Sequence, residues 1–352
     1  MSNAGKIDIL AKRNHIKNYQ IVMKYLSLIY KFIKRIFFIL PETPATAQIE
    51  VTNRCNFSCP MCQRFALGVP LSDMNFEEYV KIIDHLADVK DIVLTSWGEP
   101  FMHPKIFEMI AYAKDKGHSV YLTSNGSLLN ADSRKKLLSS GLDAITFSID
   151  EVKTDDDTLG HEIKNQLENI CALLDERKNS EHKLQVFFQS TLHKNREEKL
   201  FEVINFAARH GADRVRLSRL DVRFNENLKR PSLKKEKEFV KKIIKISNEQ
   251  RIAVEFLPYL LFSGFAAKIY YHLHPLLHRF GKYCLRLFDY VYINQKAEVT
   301  PCCALPLLSM GNLFEDNLKN IWKSQKFIDF RKQQKIICGK CDVLSPRPYN
   351  FE

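Results

Sequence analysis

The sequence predicts an α/β fold: a partial (β/α)6 barrel over residues 46–250, preceded by a basic helical extension at 1–45 and followed at 251–352 by an apolar connecting segment and a small β-hairpin/helix domain. Three observations predict it. From residue 46 short β-type runs alternate with amphipathic helix-type segments, which implies right-handed crossovers and a parallel sheet. Six such units fit a curved, incomplete barrel better than a full eight-unit one. The cysteines gather at two places, just after the first strand-type run and near the end of the chain. Finally, 352 residues with 45% apolar and 27% charged side chains describe a folded chain of one large or two modest domains. No run reaches membrane-spanning length and no internal repeat is visible.

The first 45 residues hold eight Lys/Arg against two Asp/Glu, so half of the +12 net charge sits in the first eighth of the chain. Gln20, Lys24, Ser27, Lys31 and Lys34 recur at helical spacing, a polar stripe on a helix whose other face is Ile, Val, Leu, Tyr and Phe. Such a helix can lie peripherally on the inner membrane face with its lysines toward anionic headgroups, or pack on the domain that follows. Met1-Ser2-Asn3-Ala4 reads as a vector remnant. Strand-type runs follow at 48–52, 91–95, 119–123, 144–148, 184–190 and 214–220. The clearest helix between them starts at a capping box, Asn75 with Glu78, and continues through Tyr79, Ile82, Ile83 and Leu86. The lysine-rich segment 229–251 ends the series as a helix with a solvated charged face. In the apolar stretch 256–280, His272, His274 and His278 lack a carboxylate or cysteine at ligand spacing and read as core or pocket packing.

An odd count of nine cysteines argues against a purely disulfide framework, and no secretory signal is visible. The expected compartment is a reducing cytoplasm, where clustered thiols bind metal or do redox chemistry. Strand 48–52 runs into Cys55-Asn56-Phe57-Ser58-Cys59-Pro60-Met61-Cys62, a C-x3-C-x2-C spacing. Three thiolates on one short loop can hold three corners of a cubic iron–sulfur cluster and leave the fourth iron open to an outside ligand. The loop follows a strand C-terminus, where parallel barrels place their chemistry. A zinc site with a fourth ligand from elsewhere is the competing reading.

These residues resemble the radical S-adenosylmethionine (SAM) superfamily over about residues 46–220. Ser96-Trp97-Gly98-Glu99-Pro100 after the second strand looks like that family's Gly-Glu-Pro segment, which implies that Gly98, Glu99 and Pro100 hold the methionine ammonium of SAM. By the same resemblance Thr123, Ser124 and Asn125 after the third strand, and Ser148 and Asp150 after the fourth, contact the methionine carboxylate and the ribose. Gln189, Thr191 and Asn195 complete the pocket near ribose and adenine. Met61 departs from the usual aromatic residue before the third cysteine; it keeps an apolar contact with adenine but not stacking. The resemblance implies that Cys55, Cys59 and Cys62 bind [4Fe–4S], that SAM chelates the open iron, and that a 5′-deoxyadenosyl radical removes a substrate hydrogen atom. It also implies an electron donor such as a flavodoxin or ferredoxin.

The second set is Cys284, then Pro301-Cys302-Cys303 after the strand-like run 289–294, then Cys338-Gly339-Lys340-Cys341 after a helix around 317–333. A hairpin, a helix and a terminal C-x2-C bring separated thiolates together, for zinc or for a cluster. With Gly311-Asn312-Leu313 and Ile321-Trp322, the order resembles the SPASM/Twitch auxiliary-cluster domain of radical SAM enzymes. That implies a second, auxiliary [4Fe–4S] cluster on Cys284, Cys302, Cys338 and Cys341. No cysteine follows Cys341, so the resemblance is to the single-cluster version. Cys171 reads as packing. Cys303 is a candidate hydrogen-atom donor, an alternative ligand, or inert.

The implied function is SAM-dependent radical oxidation or modification of a peptide, a sugar or polyol, or a lipid-linked molecule, with epimerisation as a variant. A non-enzymatic iron–sulfur or zinc module is the alternative. It accounts for the cysteines but not for Gly98-Glu99-Pro100 or the polar residues after successive strands. The basic residues are not interleaved with any nucleic-acid-binding motif.

Overall fold

The computed structural model describes residues 33, 37, 39–152, 157–223, 227–256, 284, 286–338 and 341. The expected N-terminal helix, apart from a few single residues, and the stretch with His272, His274 and His278 lie outside the described residues. Six strand–helix units succeed one another: β1 Thr46–Ile49 and α1 Phe76–Asp84; β2 Asp91–Leu94 and α2 Ile106–Asp115; β3 Ser119–Ser124 and α3 Ala131–Ser139; β4 Ala144–Ser148 and α4 Asp157–Arg177; β5 Gln185–Leu192 and α5 Glu197–His210; β6 Arg214–Arg219 and α6 Leu233–Gln250. A further strand, β7 (Ala253–Phe256), pairs in parallel with β6. The expected (β/α)6 series is present, with one strand added at its end.

β1, β2, β3, β6 and β7 alternate a buried side with a less buried one, whereas β4 is buried at four of its five residues. Ala47, Ile49, Ile92, Leu94, Val120, Leu122, Val186, Phe188, Val215 and Leu217 are all buried. They belong to one hydrophobic cluster with Ile82, Met109, Ile170, Ile204 and Ile243 of the helices. Each such side chain contributes roughly 1.5–3 kcal/mol through burial. Local signals set the helix starts. Asn75 accepts from the main-chain N–H of Glu77 (2.8 Å) and Glu78 (3.2 Å), capping α1. Tyr79 then donates from its hydroxyl to Met109 O (2.9 Å), tying α1 to α2.

The C-terminal elements are β8 Tyr290–Ile293, β9 Glu298–Thr300, β10 Gly311–Asn312, α7 Leu318–Lys323 and α8 Gln325–Ile337. β8 pairs in parallel with β1, and β9 and β10 follow antiparallel, so one sheet runs β10-β9-β8-β1-β2-β3-β4-β5-β6-β7. The hairpin therefore covers the free edge of β1, whose backbone groups would otherwise lack partners. The helix expected at 317–333 is two helices. Ser324 is extended (φ −59°, ψ 150°), and its hydroxyl accepts from Phe327 N (3.2 Å) to cap α8. Among the described residues no helix is long and apolar enough to cross a membrane.

Candidate active site

The Cys55–Cys62 loop leaves β1 under firm restraint. Thr52 Oγ1 donates to Asp73 (2.6 Å), and Arg54 forks onto the same carboxylate. Asn53 bonds Pro70 O and Ser72 N, both at 2.8 Å. From the other side comes the Gly98-Glu99-Pro100 segment: Glu99 N donates to Arg54 O (2.7 Å). A Cβ at Gly98 would stand against Thr52 O and 2.7 Å from Arg54 O, so only glycine lets the two loops meet. Within the loop Cys62 N donates to Cys59 O (3.0 Å), and Cys55, Cys59 and Cys62 lie within one another's electrostatic reach.

Glu99 does something its motif does not announce. Its carboxylate accepts from Asn125 N (2.7 Å), Ser124 Oγ (2.8 Å) and Phe101 N (3.2 Å), and the residue is 2% exposed. Burial pushes its acid up to about 7, against the pull of those three donors. The carboxylate thus clamps the β2 loop to the β3 loop. Pro100 opens the 3-10 turn that Glu99 caps.

The other expected SAM contacts gather at successive strand ends. Asn125 Nδ2 donates to Asn56 Oδ1 (3.0 Å), joining β3 to the cysteine loop. Thr123 N donates to Thr95 Oγ1 (2.6 Å). Gln166 bridges Asn125 O and Ser148 O. Asp150 accepts from Thr191 N (2.8 Å), and burial raises its acid to about 6. Asn195 stands apart. With φ 63° it lines a cavity of about 270 Å³ with His193, Lys194, Arg196, Asn227, Leu228 and Lys229, none of them another expected contact.

Sequence reading passed over three features here. The register sets Ser148, Gln189, Arg216 and Glu255 side by side across β4–β7. Arg216 Nε donates to Glu255 (3.3 Å), and Arg214 pairs with the same carboxylate. The alternation of charged and apolar residues in Arg214-Val215-Arg216-Leu217 was the available signal. Second, Glu50, 2% exposed, accepts from Ser96 Oγ (2.7 Å), which lies 2.6 Å from Tyr292 Oη, joining β1, β2 and β8. Third, Trp97 Nε1 donates to Cys303 O (3.0 Å), which joins the Gly98 loop to the second cysteine set.

That second set is assembled by α8. Arg331, fully buried, donates from Nε to Leu287 O (2.9 Å) and from Nη1 to Trp322 O (2.8 Å), and stacks 3.9 Å from the Trp322 and Phe327 rings. Burial lowers its pKa to about 9. Gln334 accepts from Cys284 N (3.1 Å), while Gln334 O accepts from Cys338 N (2.8 Å). Cys284, Cys302, Cys338 and Cys341 consequently act on one another electrostatically. Burial pushes the Cys284 and Cys338 thiols up to about 12, whereas a hydrogen bond from the Cys303 thiol pulls Cys302 down. Among the described residues no three His, Cys, Asp or Glu side chains are gathered tightly enough for one metal ion. A cubane asks for less, because each thiolate binds a different iron. All-thiol donor sets, three on the first loop and four in the second group, fit such clusters.

Comparison with known proteins agrees. Residues 49–207 match the radical SAM superfamily, and residues 284–342 match SPASM, an iron–sulfur cluster-binding domain. The chain is 23% identical to an AdoMet-dependent heme synthase of Methanosarcina barkeri, covering 86% of this chain and 89% of that protein. It is 25% identical to a PqqA peptide cyclase of Rhizobium meliloti, covering 86% and 80%. Other curated relatives are matched over half of their length or less. In fold it is similar to Streptococcus suis SuiB bound to precursor peptide SuiA, with a TM-score of 0.65, 15% identity, and coverage of 93% of this chain and 75% of that one. The two domains imply a [4Fe–4S] cluster with SAM and an auxiliary iron–sulfur cluster.

Proposed function

We propose that this chain, which carries a radical SAM domain and a SPASM cluster-binding domain, is an enzyme that oxidises or otherwise modifies an unactivated C–H position of a peptide. Cys55, Cys59 and Cys62 would hold the SAM-binding cluster, and Cys284, Cys302, Cys338 and Cys341 one auxiliary cluster. When bound and reduced, the first cluster supplies the electron that splits SAM into methionine and a 5′-deoxyadenosyl radical.

The chain's own residues bind, orient and shield. Gly98, through its contact with Thr52 and Arg54, fixes the loop after β2 against the cysteine loop. Glu99 holds Ser124 and Asn125 in place for the methionine part of SAM. Asp150, Gln189 and Thr191 offer polar groups to the ribose end. Arg216 and Glu255, in register with Gln189, line the adjoining polar row and suit a polar substrate over a lipid chain.

The observation that carries the two-cluster reading is the Trp97–Cys303 hydrogen bond, which puts the SAM loop and the second cysteine set in direct contact. An auxiliary cluster held by that set would supply a one-electron acceptor for a substrate radical, which with loss of a proton would make the net reaction an oxidation. A flavodoxin or ferredoxin is the proposed donor for the first cluster. Kinship with a peptide cyclase, and the likeness to SuiB with its precursor peptide, support a peptide substrate.

The test is anaerobic reconstitution with iron and sulfide, then SAM and a strong reductant. Release of 5′-deoxyadenosine is expected; a fully loaded protein that releases none would sink the enzymatic reading.

A further inference from the structure

Strands β4 to β7 carry a polar row that the SAM contacts use only in part. Ser148, Gln189, Arg216 and Glu255 are consecutive partners across the sheet. The residues that alternate with them, Phe188, Val215 and Leu217, belong to the core shared with the helices. The row therefore lies on the face of the sheet away from the helices. One step back along that face, Thr146 and Phe187 are buried, whereas Ser148 is exposed and Gln189 and Arg216 are half-buried. The face opens at the level of Arg216.

Arg216 is held in place there with its outer edge left over. Its Nε donates to Glu255 Oε2 (3.3 Å), and its guanidinium carbon stands 4.5 Å from the centre of the Phe187 ring. Ring and carboxylate together set the plane of the guanidinium. Among the described residues its two Nη groups have no hydrogen-bond partner, and the side chain is 35% exposed. Glu255 does not depend on Arg216, because Arg214 pairs with its other oxygen. An arginine edge with parallel N–H groups, fixed in plane and open to solvent, has the shape that receives the two oxygens of a carboxylate. The methionine carboxylate of SAM is assigned to the ends of β3 and β4, so this edge is left for another acid.

We propose that Arg216 seats a carboxylate of the peptide substrate beside Gln189, at the ribose end of the SAM pocket, with Phe187 and Glu255 holding its fork in the receiving plane. The inference rests on the peptide reading above and names the group by which such a peptide is recognised. A carboxylate anchored at Arg216 holds the neighbouring residues of the peptide close to the ribose end. Lysine at 216 keeps the charge without the two-pronged edge, and glutamine keeps neither. Arg214 remains paired with Glu255 in both variants, so neither strands that carboxylate.

The experiment is a selection. The reconstituted full chain with SAM is immobilised and offered a library of short peptides randomised at every position. High salt screens the general basic charge of the chain. The library is made with amidated and with free C-termini, which separates a side-chain carboxylate from a terminal one. On the wild type, Asp or Glu should be enriched about tenfold over Asn or Gln at one position, or free-acid peptides over amidated ones by a similar factor. Arg216→Gln should erase that preference, and Arg216→Lys should keep only part of it. If Arg216→Gln takes up less iron than the wild type, Arg216→Lys decides alone, and an undiminished preference there overturns the fork. Peptides recovered without any acidic preference, or with the same preference in wild type and Arg216→Gln, overturn the inference and leave the peptide reading standing. Recovery no better than from beads without protein overturns the peptide reading and the inference with it.

Discussion

The two cysteine regions reach similar ends by different physics. The first is local: Cys55, Cys59 and Cys62 lie on one loop, whose base is pinned by Thr52, Asn53 and Arg54 to the 70–73 segment. The second is collected from afar. Cys284, Cys302, Cys338 and Cys341 come within one another's electrostatic reach because β8 docks on β1 and because Arg331 and Gln334 of α8 reach back to Leu287 and Cys284. A local site needs only its loop and the loops that touch it. A collected site stands or falls with a whole module, so the two should fail separately and for different reasons.

The sharpest test of that separation is replacement of Cys55, Cys59 and Cys62 together by Ala. Release of 5′-deoxyadenosine should fall to background while about half of the bound iron remains, read by absorbance and iron analysis. Loss of all iron would show that the two sites are not independent. Next in size is Gly98→Ala. Its methyl group meets main-chain oxygens of Thr52 and Arg54, which have no flexible end to move. A cost of about 3 kcal/mol is expected, with iron lost first from the barrel loop. Wild-type melting and loading in this variant would remove the glycine from the argument.

Arg331→Ala should damage the other region. It orphans the Leu287 and Trp322 carbonyls and empties the space against two rings, for about 2–3 kcal/mol. Iron should then be lost from the C-terminal set with 5′-deoxyadenosine formation retained; equal loss from both sets would contradict local failure. The remaining effect concerns pH, where only the slope of stability is read. Burial raises the Glu99 acid to about 7 from 4.5. Between those values the folded chain binds the proton that the unfolded chain has released, so this residue's contribution to stability falls as pH rises through that window, by on the order of 3 kcal/mol. Glu99→Gln sets an amide against the Asn125 N–H and should melt lower at pH 5. Its melting temperature should change less than that of the wild type between pH 5 and 8; an equal slope would assign the pH dependence elsewhere.

The legibility of the chain follows the same division. Strand and helix positions were readable because alternation and capping are properties of neighbouring residues. Asn75 caps α1 as its position suggests, and 144–148 is β4 as read. The break at Ser324 was missed because apolar residues stand on both sides of it, Leu318, Ile321 and Trp322 before and Phe327, Ile328 and Phe330 after, and one extended residue between them leaves no mark in the pattern. Gly98, Glu99 and Pro100 were legible as a motif, but not what Glu99 does. Its three donors come from Phe101, Ser124 and Asn125, two of them on another strand's loop.

By itself the sequence determined which atoms are available: three thiols on one loop, four more in a C-terminal order, and polar groups at successive strand ends. These follow from covalent order and from periodicities of two and 3.6 residues, which act over a few positions. Only the tertiary structure decided which of those atoms meet. It turned the Glu99 carboxylate onto β3, set Arg216 beside Gln189, laid β8 against β1, and joined Gln63 of the cysteine loop to Asp221 beyond β6. Those meetings depend on the packing of elements far apart in the chain, and no local pattern records them.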